Sequence, residues 1–387
     1  NSHSENAILY RSNAQSRVLE EALLRSQMPY RIYGGQRFFE RAEIRTALAY
    51  IRLVNQRDAD AAFERVVNLP TRGIGGKTLE QIRSHARQQA VSLWQAAVQL
   101  CKAAAVSNRS KTAIEGFLNL INDLDEATTE MDLPLLVEAI IQQAGLKAHY
   151  EREGGEKGQA RLENLAELVS AARTFDPDDN IMFDPDNQVE MSLIDEFLGH
   201  AALEAGEGQG KANEDCVQLM TMHSAKGLEF PVVFLAGLEE GLFPHNMSLE
   251  EPGRLEEERR LCYVGITRAM RKLYITYAES RRLNGSENYN RQSRFITEIP
   301  AELIQEVRFK ETIVRPAYQT SHTVKRVSSE VEGTDFALGQ RVMHAKFGEG
   351  VILNYEGAGQ QARLQVKFDE VGSKWLMLSF AKLQAVG

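Results

Sequence analysis

The chain has 387 residues, enough for two or three domains of ordinary size. Hydrophobic residues make up 43% of it, which excludes a chain too polar to fold. No run of about 18 uncharged apolar residues occurs, so we expect no membrane-spanning helix. Three scattered cysteines and a polar N-terminus without an apolar signal region favour buried thiols in the cytoplasm.

The net charge of −9 is unevenly distributed along the chain. Residues 1–120 carry 17 Lys and Arg against 10 Asp and Glu, and residues 121–215 carry 6 against 23. Residues 216–387 are nearly balanced, with 22 against 21. A basic first third permits a local DNA-facing surface in an acidic protein. Ordinary solvated helix faces can produce the same unevenness, so charge alone decides little.

The first residues predict the start of an α/β layer. The apolar run at 7–10 predicts a buried strand, and helical spacing predicts helices over 14–27 and 41–54. Residues 58–205 show helical patterns without clear alternating strands, with breaks near Pro70, Pro134 and the Asp-Pro pairs at 176–177 and 184–185. Strands return at 217–222, 231–236 and 273–277, with a helix near 255–264. This order predicts one α/β domain interrupted by an all-α insertion.

The C-terminal residues differ from the rest of the chain in their sequence pattern. Short strand candidates at 341–344, 350–354, 363–368 and 374–378 are separated by glycines and polar turns, which predicts a small β-barrel of the SH3 or Tudor kind. We expect its core to contain Val342, Val351, Leu364, Val366 and Leu376. Lys374 and Trp375 are then available to a protein partner, although Trp375 could also be core.

A phosphate-binding loop is suggested by Gly73-Ile74-Gly75-Gly76-Lys77-Thr78, but the spacing fails. The P-loop needs a glycine five positions before its Gly-Lys pair, and that position holds Thr71. The segment instead resembles a helix-hairpin-helix turn, in which Gly73, Ile74 and Gly75 let backbone N–H groups approach a DNA phosphate. Arg72 and Lys77 would add positive charge. A plain turn between helices is the alternative.

Two further segments carry chemistry. His223-Ser224-Ala225-Lys226-Gly227-Leu228-Glu229 lies between two predicted strands, where the ligands of open α/β sheets bind. Tyr263-Val264-Gly265-Ile266-Thr267-Arg268-Ala269 ends a charged helix and presents Arg268, which could stabilise charge on a γ-phosphate. Taken alone, the first could be a solvated turn and the second a salt-bridge partner.

Both segments resemble motifs V and VI of superfamily-one DNA helicases of the UvrD/PcrA/Rep group. Similar matches occur at residues 10–17, 33–40, 71–75 and 161–165 and in the C-terminal module. The chain as a whole is similar to the C-terminal half of that group. The resemblance implies that the α/β domain is RecA-like and incomplete. The expected parts are residues 1–55 and 214–310 for this domain, 56–213 for the helical insertion, 311–336 for a linker and 337–387 for a Tudor/SH3-like module.

The resemblance implies an ATP-dependent helicase of 3′-to-5′ polarity in nucleotide excision and mismatch repair. It implies that ATP with Mg²⁺ lies between two RecA-like domains, with Glu229 on the ribose and Arg268 on the γ-phosphate. Lys226 and Thr267 would belong to the same network, and His223 would link nucleotide state to single-stranded DNA. The turn at 73–75 would meet duplex DNA. Other implied partners are repair proteins and an RNA polymerase, the latter bound through Lys374 and Trp375.

The sequence departs from the group in one important respect. The P-loop, the Asp-Glu pair that holds Mg²⁺ and the glutamine that positions water are expected in an N-terminal half outside this chain. Arg11, in Tyr10-Arg11-Ser12, is not the group's Tyr-Arg nucleotide contact. We therefore expect no ATP hydrolysis by the chain alone. One alternative is a non-enzymatic fragment that binds DNA or RNA polymerase. Another alternative is the helicase portion of a RecB-like nuclease. That alternative requires clustered acidic metal ligands and a lysine after the helicase motifs, and residues 310–387 do not contain this pattern.

Overall fold

The structure is a computed structural model that describes residues 2–177, 192–206, 214–250, 253–283, 286–307, 336, 340–344, 347–356, 363–368, 372–377 and 383–385. The chain divides into two compact units, Asn1–Glu306 and Val307–Gly387. The predicted linker at 311–336 lies outside the described residues, apart from Phe336.

A five-stranded parallel sheet forms the centre of the α/β part of the first unit, with strand order β2-β3-β1-β4-β5. The strands are β1 (Asn6–Tyr10), β2 (Tyr30–Ile32), β3 (Val217–Thr221), β4 (Phe230–Ala236) and β5 (Ala269–Thr276). Ala7 of the central strand lies opposite Gln218 of β3 and Val233 of β4. The predicted α/β class is therefore confirmed, and β2 is an additional edge strand that the sequence analysis did not include.

Helices cover both faces of this sheet, because its strands are apolar on both sides. On one face Leu23 of α1 (Ser16–Arg25) joins a buried cluster with Tyr10 and Leu219. On the other face Leu261 and Cys262 of α12 (Arg254–Ile266) pack in a second cluster with strand residues of β1 and β4. The short elements nearby are α11 (Asn246–Glu250), α13 (Arg294–Thr297) and the hairpin of β6 (Arg281–Leu283) with β7 (Ser286–Asn288).

Between β2 and β3 the residues that the structure describes are mainly helical, in agreement with the helical pattern predicted over 58–205. The helices are α2 (Ala42–Asn55), α3 (Asp60–Val66), α4 (Gly76–Gln89), α5 (Leu93–Lys102), α6 (Asn108–Thr128), α7 (Leu133–Gln143), α8 (Leu146–Glu153), α9 (Gly155–Thr174) and α10 (Leu193–Gly206). Pro134 lies in the first turn of α7, where a missing N–H costs no hydrogen bond. The Asp-Pro pair at 184–185 lies outside the described residues.

The core of this helical insertion is one continuous cluster of buried apolar side chains, which includes Tyr50 of α2 and Phe117 of α6. Because α2 packs into this cluster, the packing favours a helical block that begins earlier than the predicted boundary after residue 55. The five-part division of the chain remains a prediction.

The second unit contains an antiparallel sheet of order β11-β10-β9-β8-β12. Its strands are β8 (Arg341–His344), β9 (Gly348–Glu356), β10 (Arg363–Phe368), β11 (Gly372–Met377) and β12 (Gln384–Ala385). Val342, Leu364 and Val366 are buried as predicted, and Leu376 packs against them. The prediction for Val351 is wrong, because its neighbour Ile352 fills the core.

The three cysteines, Cys101, Cys216 and Cys262, are free and buried, as the sequence predicts. Burial raises the pKa of the Cys262 thiol to about 12. Of the helices within the described ranges, none is both long and apolar enough to cross a membrane.

Candidate functional site

The first predicted segment forms a tight loop at the carboxyl end of β3. Thr221 Oγ1 lies 3.0 Å from Ser224 Oγ, and the backbone N–H of Ala225 donates to the Thr221 carbonyl over 3.1 Å. Gly227 has a φ of +86°, which favours glycine at that turn. Ala225 is fully buried and anchors the loop, whereas His223 and Lys226 are exposed. The loop therefore presents its polar side chains outward from a fixed backbone.

Arg268 follows the C-terminal end of α12, and its guanidinium is held by local hydrogen bonds. Nε donates to the Val264 carbonyl over 3.0 Å, Nη1 to the Leu228 carbonyl over 2.7 Å, and Nη2 to Thr267 Oγ1 over 3.0 Å. Thr267 Oγ1 in turn donates toward the carbonyls of Tyr263 and Val264. A guanidinium has five N–H donors, so these three contacts leave two for a ligand.

The two predicted segments meet directly. Besides the contact from Arg268 Nη1 to Leu228, the backbone N–H of Phe230 donates to the Arg268 carbonyl over 2.9 Å. Glu229, between Leu228 and Phe230, is exposed beside this junction. The structure thus brings the Arg268 guanidinium and the Thr267 hydroxyl together with the backbone on both sides of Glu229.

A cleft of about 950 Å³ lies beside the same loop, between the helical insertion and the α/β part. Its charged lining contains three cations and five carboxylates: Arg11, Lys157, Arg254, Glu151, Glu156, Glu163, Glu257 and Glu258. Arg11 forms an ion pair of 2.7 Å with the buried Glu258. Thr221 and His223 line the cleft from the β3–β4 loop. The cleft therefore combines exposed polar groups with a moderate acidic excess.

Three titratable side chains that line the cleft, Tyr150, Glu163 and His223, have shifted pKa values, and burial raises the pKa of Tyr150. Partial burial and the nearby Arg11 guanidinium lower the pKa of His223, because both disfavour the imidazolium. Burial raises the pKa of Glu163, but hydrogen bonds from His245 and Ser12 outweigh burial, so the pKa is lowered. At neutral pH the imidazole of His223 is neutral, and the carboxylate of Glu163 is charged and hydrogen-bonded.

The predicted turn at Gly73, Ile74 and Gly75 precedes α4. Gly73 has a φ of +84°, and a Cβ at Gly73 or Gly75 would meet no atom within 4 Å. Gly75 has an ordinary φ of −82° and caps α4 without a side-chain hydrogen bond. Lys77 is exposed, and it forms no ion pair with the residues that the structure describes. The open surface at Gly75 leaves the backbone accessible to a large ligand.

Two other residues of the predicted turn segment, Arg72 and Ile74, make contacts within the fold. Arg72 donates to the carbonyls of Pro70 over 3.0 Å and Ala144 over 2.7 Å, so its guanidinium stabilises the fold. It also lies over the Tyr50 ring, 5.7 Å from the centroid. Ile74 is only 2% exposed, so its side chain is core and only its backbone can face a ligand.

Lys374 and Trp375 lie on β11, opposite Val366 and Gln365 of β10. Their side chains fall outside what the structure describes.

Within the described ranges, one group of three side chains could hold a metal ion. Glu21, His200 and Glu204 bring their ligand atoms within 4.8 Å of one another. They lie on α1 and α10 rather than on the loop after β3 or on α12. The surface around Arg268 therefore gains no metal ligands from this group.

Sequence reasoning missed several residues of the cleft. Glu258 shares one face of α12 with the buried residues Leu261, Cys262 and Gly265. A carboxylate at that helical spacing signals a buried partner, here Arg11. No comparable signal identifies Glu163 or His245, because they come together only in the tertiary fold.

Comparison with known proteins finds two family models that match the chain. Residues 1–280 match the family described as the UvrD-like helicase C-terminal domain, and residues 338–384 match the PcrA/UvrD tudor domain. The chain is 55% identical to DNA helicase II of Salmonella typhimurium over 380 residues, which is 98% of the chain and 51% of that protein. It is also 55% identical to DNA helicase II of Escherichia coli over 383 residues, 99% of the chain and 52% of that protein.

A more distant relative is the ATP-dependent DNA helicase PcrA of Bacillus subtilis, 39% identical over 397 residues, covering 98% of the chain and 52% of that protein. The chain therefore spans about half the length of the curated relatives that it matches. The family matches together cover both compact units. The chain belongs to the UvrD-like helicase family, and it contains that family's C-terminal domain followed by a PcrA/UvrD tudor domain.

Proposed function

We propose that this chain is the C-terminal region of an ATP-dependent 3′-to-5′ DNA helicase that acts in nucleotide excision and mismatch repair. The observation that carries the proposal is the 2.7 Å contact from Arg268 Nη1 to the Leu228 carbonyl. It joins the segment of Thr267 and Arg268 to the segment of Lys226 and Glu229. A site that depends on both segments suits a nucleotide bound at the edge of this domain.

In this proposal the nucleotide is ATP, and Arg268 directs its two remaining N–H donors at the γ-phosphate. A cation at that position stabilises the charge that develops on the transferred phosphoryl group. Glu229 is exposed and can accept hydrogen bonds from ribose hydroxyls, while Thr267 and Lys226 belong to the same surface. Mg²⁺ would neutralise the phosphates, held by residues outside this chain.

Single-stranded DNA is the proposed ligand of the cleft beside the β3–β4 loop. His223 lies on the loop that also carries Glu229, so a change at the nucleotide can reach the cleft through the five intervening residues, 224–228. The acidic excess of the lining predicts few phosphate contacts and a shallow dependence of affinity on salt. A helicase that must repeatedly release single-stranded DNA as it moves benefits from such moderate binding.

Duplex DNA is the proposed ligand of the turn before α4. The backbone at Gly75 is open, and Lys77 supplies an exposed positive charge in the first turn of the helix.

We also propose that the C-terminal module binds RNA polymerase through Lys374 and Trp375, and that other repair proteins bind the full-length enzyme. The five-part division 1–55, 56–213, 214–310, 311–336 and 337–387 is part of the same proposal.

The proposal is tested by comparing this chain with the full-length protein that contains it. The full-length protein should hydrolyse ATP when single-stranded DNA is added, whereas the chain alone should not, since its sequence has no P-loop. The chain alone should still bind a fluorescent oligothymidine, and His223→Ala should weaken that binding. DNA-stimulated turnover by the purified chain, or oligothymidine binding that His223→Ala leaves unchanged, would contradict the proposal.

A further inference from the structure

The loop between β1 and α1 contributes Arg11, Ser12 and Asn13 to the cleft. Within the loop, Gln15 Oε1 accepts from the backbone N–H groups of Arg11 over 3.0 Å and Ser12 over 2.8 Å. The side chain of Asn13 is exposed, whereas Ser12 is buried. The loop therefore presents one exposed amide and one partly exposed guanidinium to a ligand in the cleft.

Two consecutive residues of the insertion hold this loop from outside. Ser12 Oγ donates to the Glu163 carboxylate of α9. The next residue, Asn164, accepts from Arg41 Nη1 over 2.8 Å, and the same nitrogen donates to the Asn13 carbonyl over 2.8 Å. Arg41 and Asn164 are both buried. The backbone of the loop is thus fixed by the insertion rather than by the α/β part alone.

The Glu163 carboxylate also contacts His245, on the other side of the loop. His245 Nε2 lies 3.2 Å from Glu163 Oε1, and the His245 backbone N–H donates to Glu258 over 3.3 Å. Glu258 forms the ion pair with Arg11. Glu163 therefore lies in a closed set of contacts that includes both Ser12 and, through His245 and Glu258, the Arg11 guanidinium.

We propose that Glu163 and Asn164 are positioning residues, through which the helical insertion holds residues 11–13 in the geometry that binds single-stranded DNA. The inference rests on the proposed function of the cleft. Its physical basis is that a buried polar group left without its hydrogen-bond partner destabilises the conformation that buries it. A shift of α9 would leave the Ser12 hydroxyl and the Arg41 guanidinium without these acceptors, so the loop would rearrange. Engagement of the insertion with duplex DNA would then change the grip on the single strand.

Glu163→Ala tests the inference because positioning and simple electrostatics predict opposite signs. Removal of a carboxylate from a cleft that binds a polyanion should strengthen binding if only charge matters. Positioning instead predicts weaker binding of oligothymidine, by about tenfold. The matched control is Glu156→Ala, which removes a carboxylate from the same cleft wall at the start of the same helix. We expect this control to bind equally or more tightly than the wild type.

A second set of variants separates positioning from damage to the fold. Glu163→Gln keeps an acceptor for Ser12 and should restore most of the affinity that Glu163→Ala loses. Ser12→Ala should weaken binding by itself, and the Ser12→Ala/Glu163→Ala double variant should lose little more than Glu163→Ala, because both remove one contact. Thermal unfolding curves check that each variant is folded. If Glu163→Ala fails to fold, the loss in Ser12→Ala and the retention in Glu163→Gln decide the question.

Tighter binding by Glu163→Ala, or strictly additive effects of Ser12→Ala and Glu163→Ala, would overturn the inference. These outcomes leave the proposed function intact as long as His223→Ala still weakens binding. Loss of the His223 effect would instead remove the cleft as the DNA site. The two failures are therefore distinguishable.

Discussion

Arg268 illustrates how local hydrogen bonds prepare a side chain for a charged ligand. Three carbonyl or hydroxyl oxygens, from Val264, Leu228 and Thr267, hold its guanidinium in one orientation. None of these partners is a carboxylate, so the positive charge is not neutralised by them. An oriented cation of this kind costs little to reorganise when charge develops on a phosphate.

We predict that Arg268→Ala in the full-length helicase lowers the turnover number for DNA-stimulated ATP hydrolysis by roughly 10³ or more. Nucleotide affinity should change much less, because the cation acts mainly on charge in the transition state. Steady-state hydrolysis at saturating ATP, together with nucleotide binding at equilibrium, measures the two effects separately.

Arg271→Ala is the matched control for this substitution, because Arg271 is an exposed arginine three residues further along β5. It should hydrolyse ATP at nearly the wild-type rate. Near-normal turnover by Arg268→Ala would show instead that Arg268 only joins the two segments structurally.

Individual residues also show where sequence reasoning succeeds and fails. A shared site for the segments around Glu229 and Arg268 was predicted through the family resemblance and not from strand or helix periodicity. The hydrogen bonds of Arg72 were not predictable, because positive charge in the sequence does not reveal that backbone carbonyls accept from the guanidinium. The contacts of Glu163 join residues about 150 positions apart, and a single sequence contains no signal for them.

At the scale of elements, the two glycines of the turn before α4 have different roles. Gly73 needs its positive φ for the turn itself, and a branched residue there would be strained by about 1–2 kcal/mol. Gly75 has a φ that any residue adopts, and open space surrounds it. The fold therefore does not require glycine at position 75, which is consistent with close approach of an external backbone.

We predict that Gly75→Thr folds normally but weakens binding to a duplex with a single-stranded tail by about tenfold, since a branched side chain obstructs close approach to a phosphate. Binding to single strands alone should stay similar. Fluorescence anisotropy with both substrates makes the comparison. Gly73→Thr should additionally lower thermal stability.

Gly116→Thr provides the control for Gly75→Thr, because Gly116 is exposed on α6 of the same insertion and also has open space around it. It should bind both substrates like the wild type. Equal losses by Gly75→Thr on both substrates would place duplex DNA on another surface.

The elements themselves were largely predictable where periodicity was strong. The strand β1, the helix α2 and the helix α12 match the predicted ranges to within a few residues. The edge strands β2 and β12 were missed because three and two residues contain too little alternation to detect. Val351 was assigned to the wrong face because one choice of register reverses every side chain of a strand.

At the scale of the whole molecule, each compact unit has its own core. The second unit buries Val342, Ile352, Leu364, Val366 and Phe368 together. Gly350 lies against Phe368, and a Cβ there would come within 2.7 Å of the ring, so the glycine is required by packing. A separate core favours independent folding of residues 338–387, the range in which the tudor family matches.

The proposed partner of this second unit is RNA polymerase rather than DNA, and its charge supports that choice. Residues 338–387 contain 6 Lys and Arg against 4 Asp and Glu, an excess of only two positive charges. Non-specific DNA binding needs several phosphate contacts and reaches only about 10⁻⁴–10⁻⁶ M at physiological salt. We therefore predict that the isolated module folds cooperatively, binds purified RNA polymerase and binds duplex DNA more weakly.

Lys374→Ala on β11 should reduce polymerase binding, whereas Lys367→Ala on the neighbouring strand β10 should not. Pull-down and anisotropy measurements compare the two ligands. Tighter binding to duplex DNA, or equal effects of both lysine substitutions, would assign the module a different role.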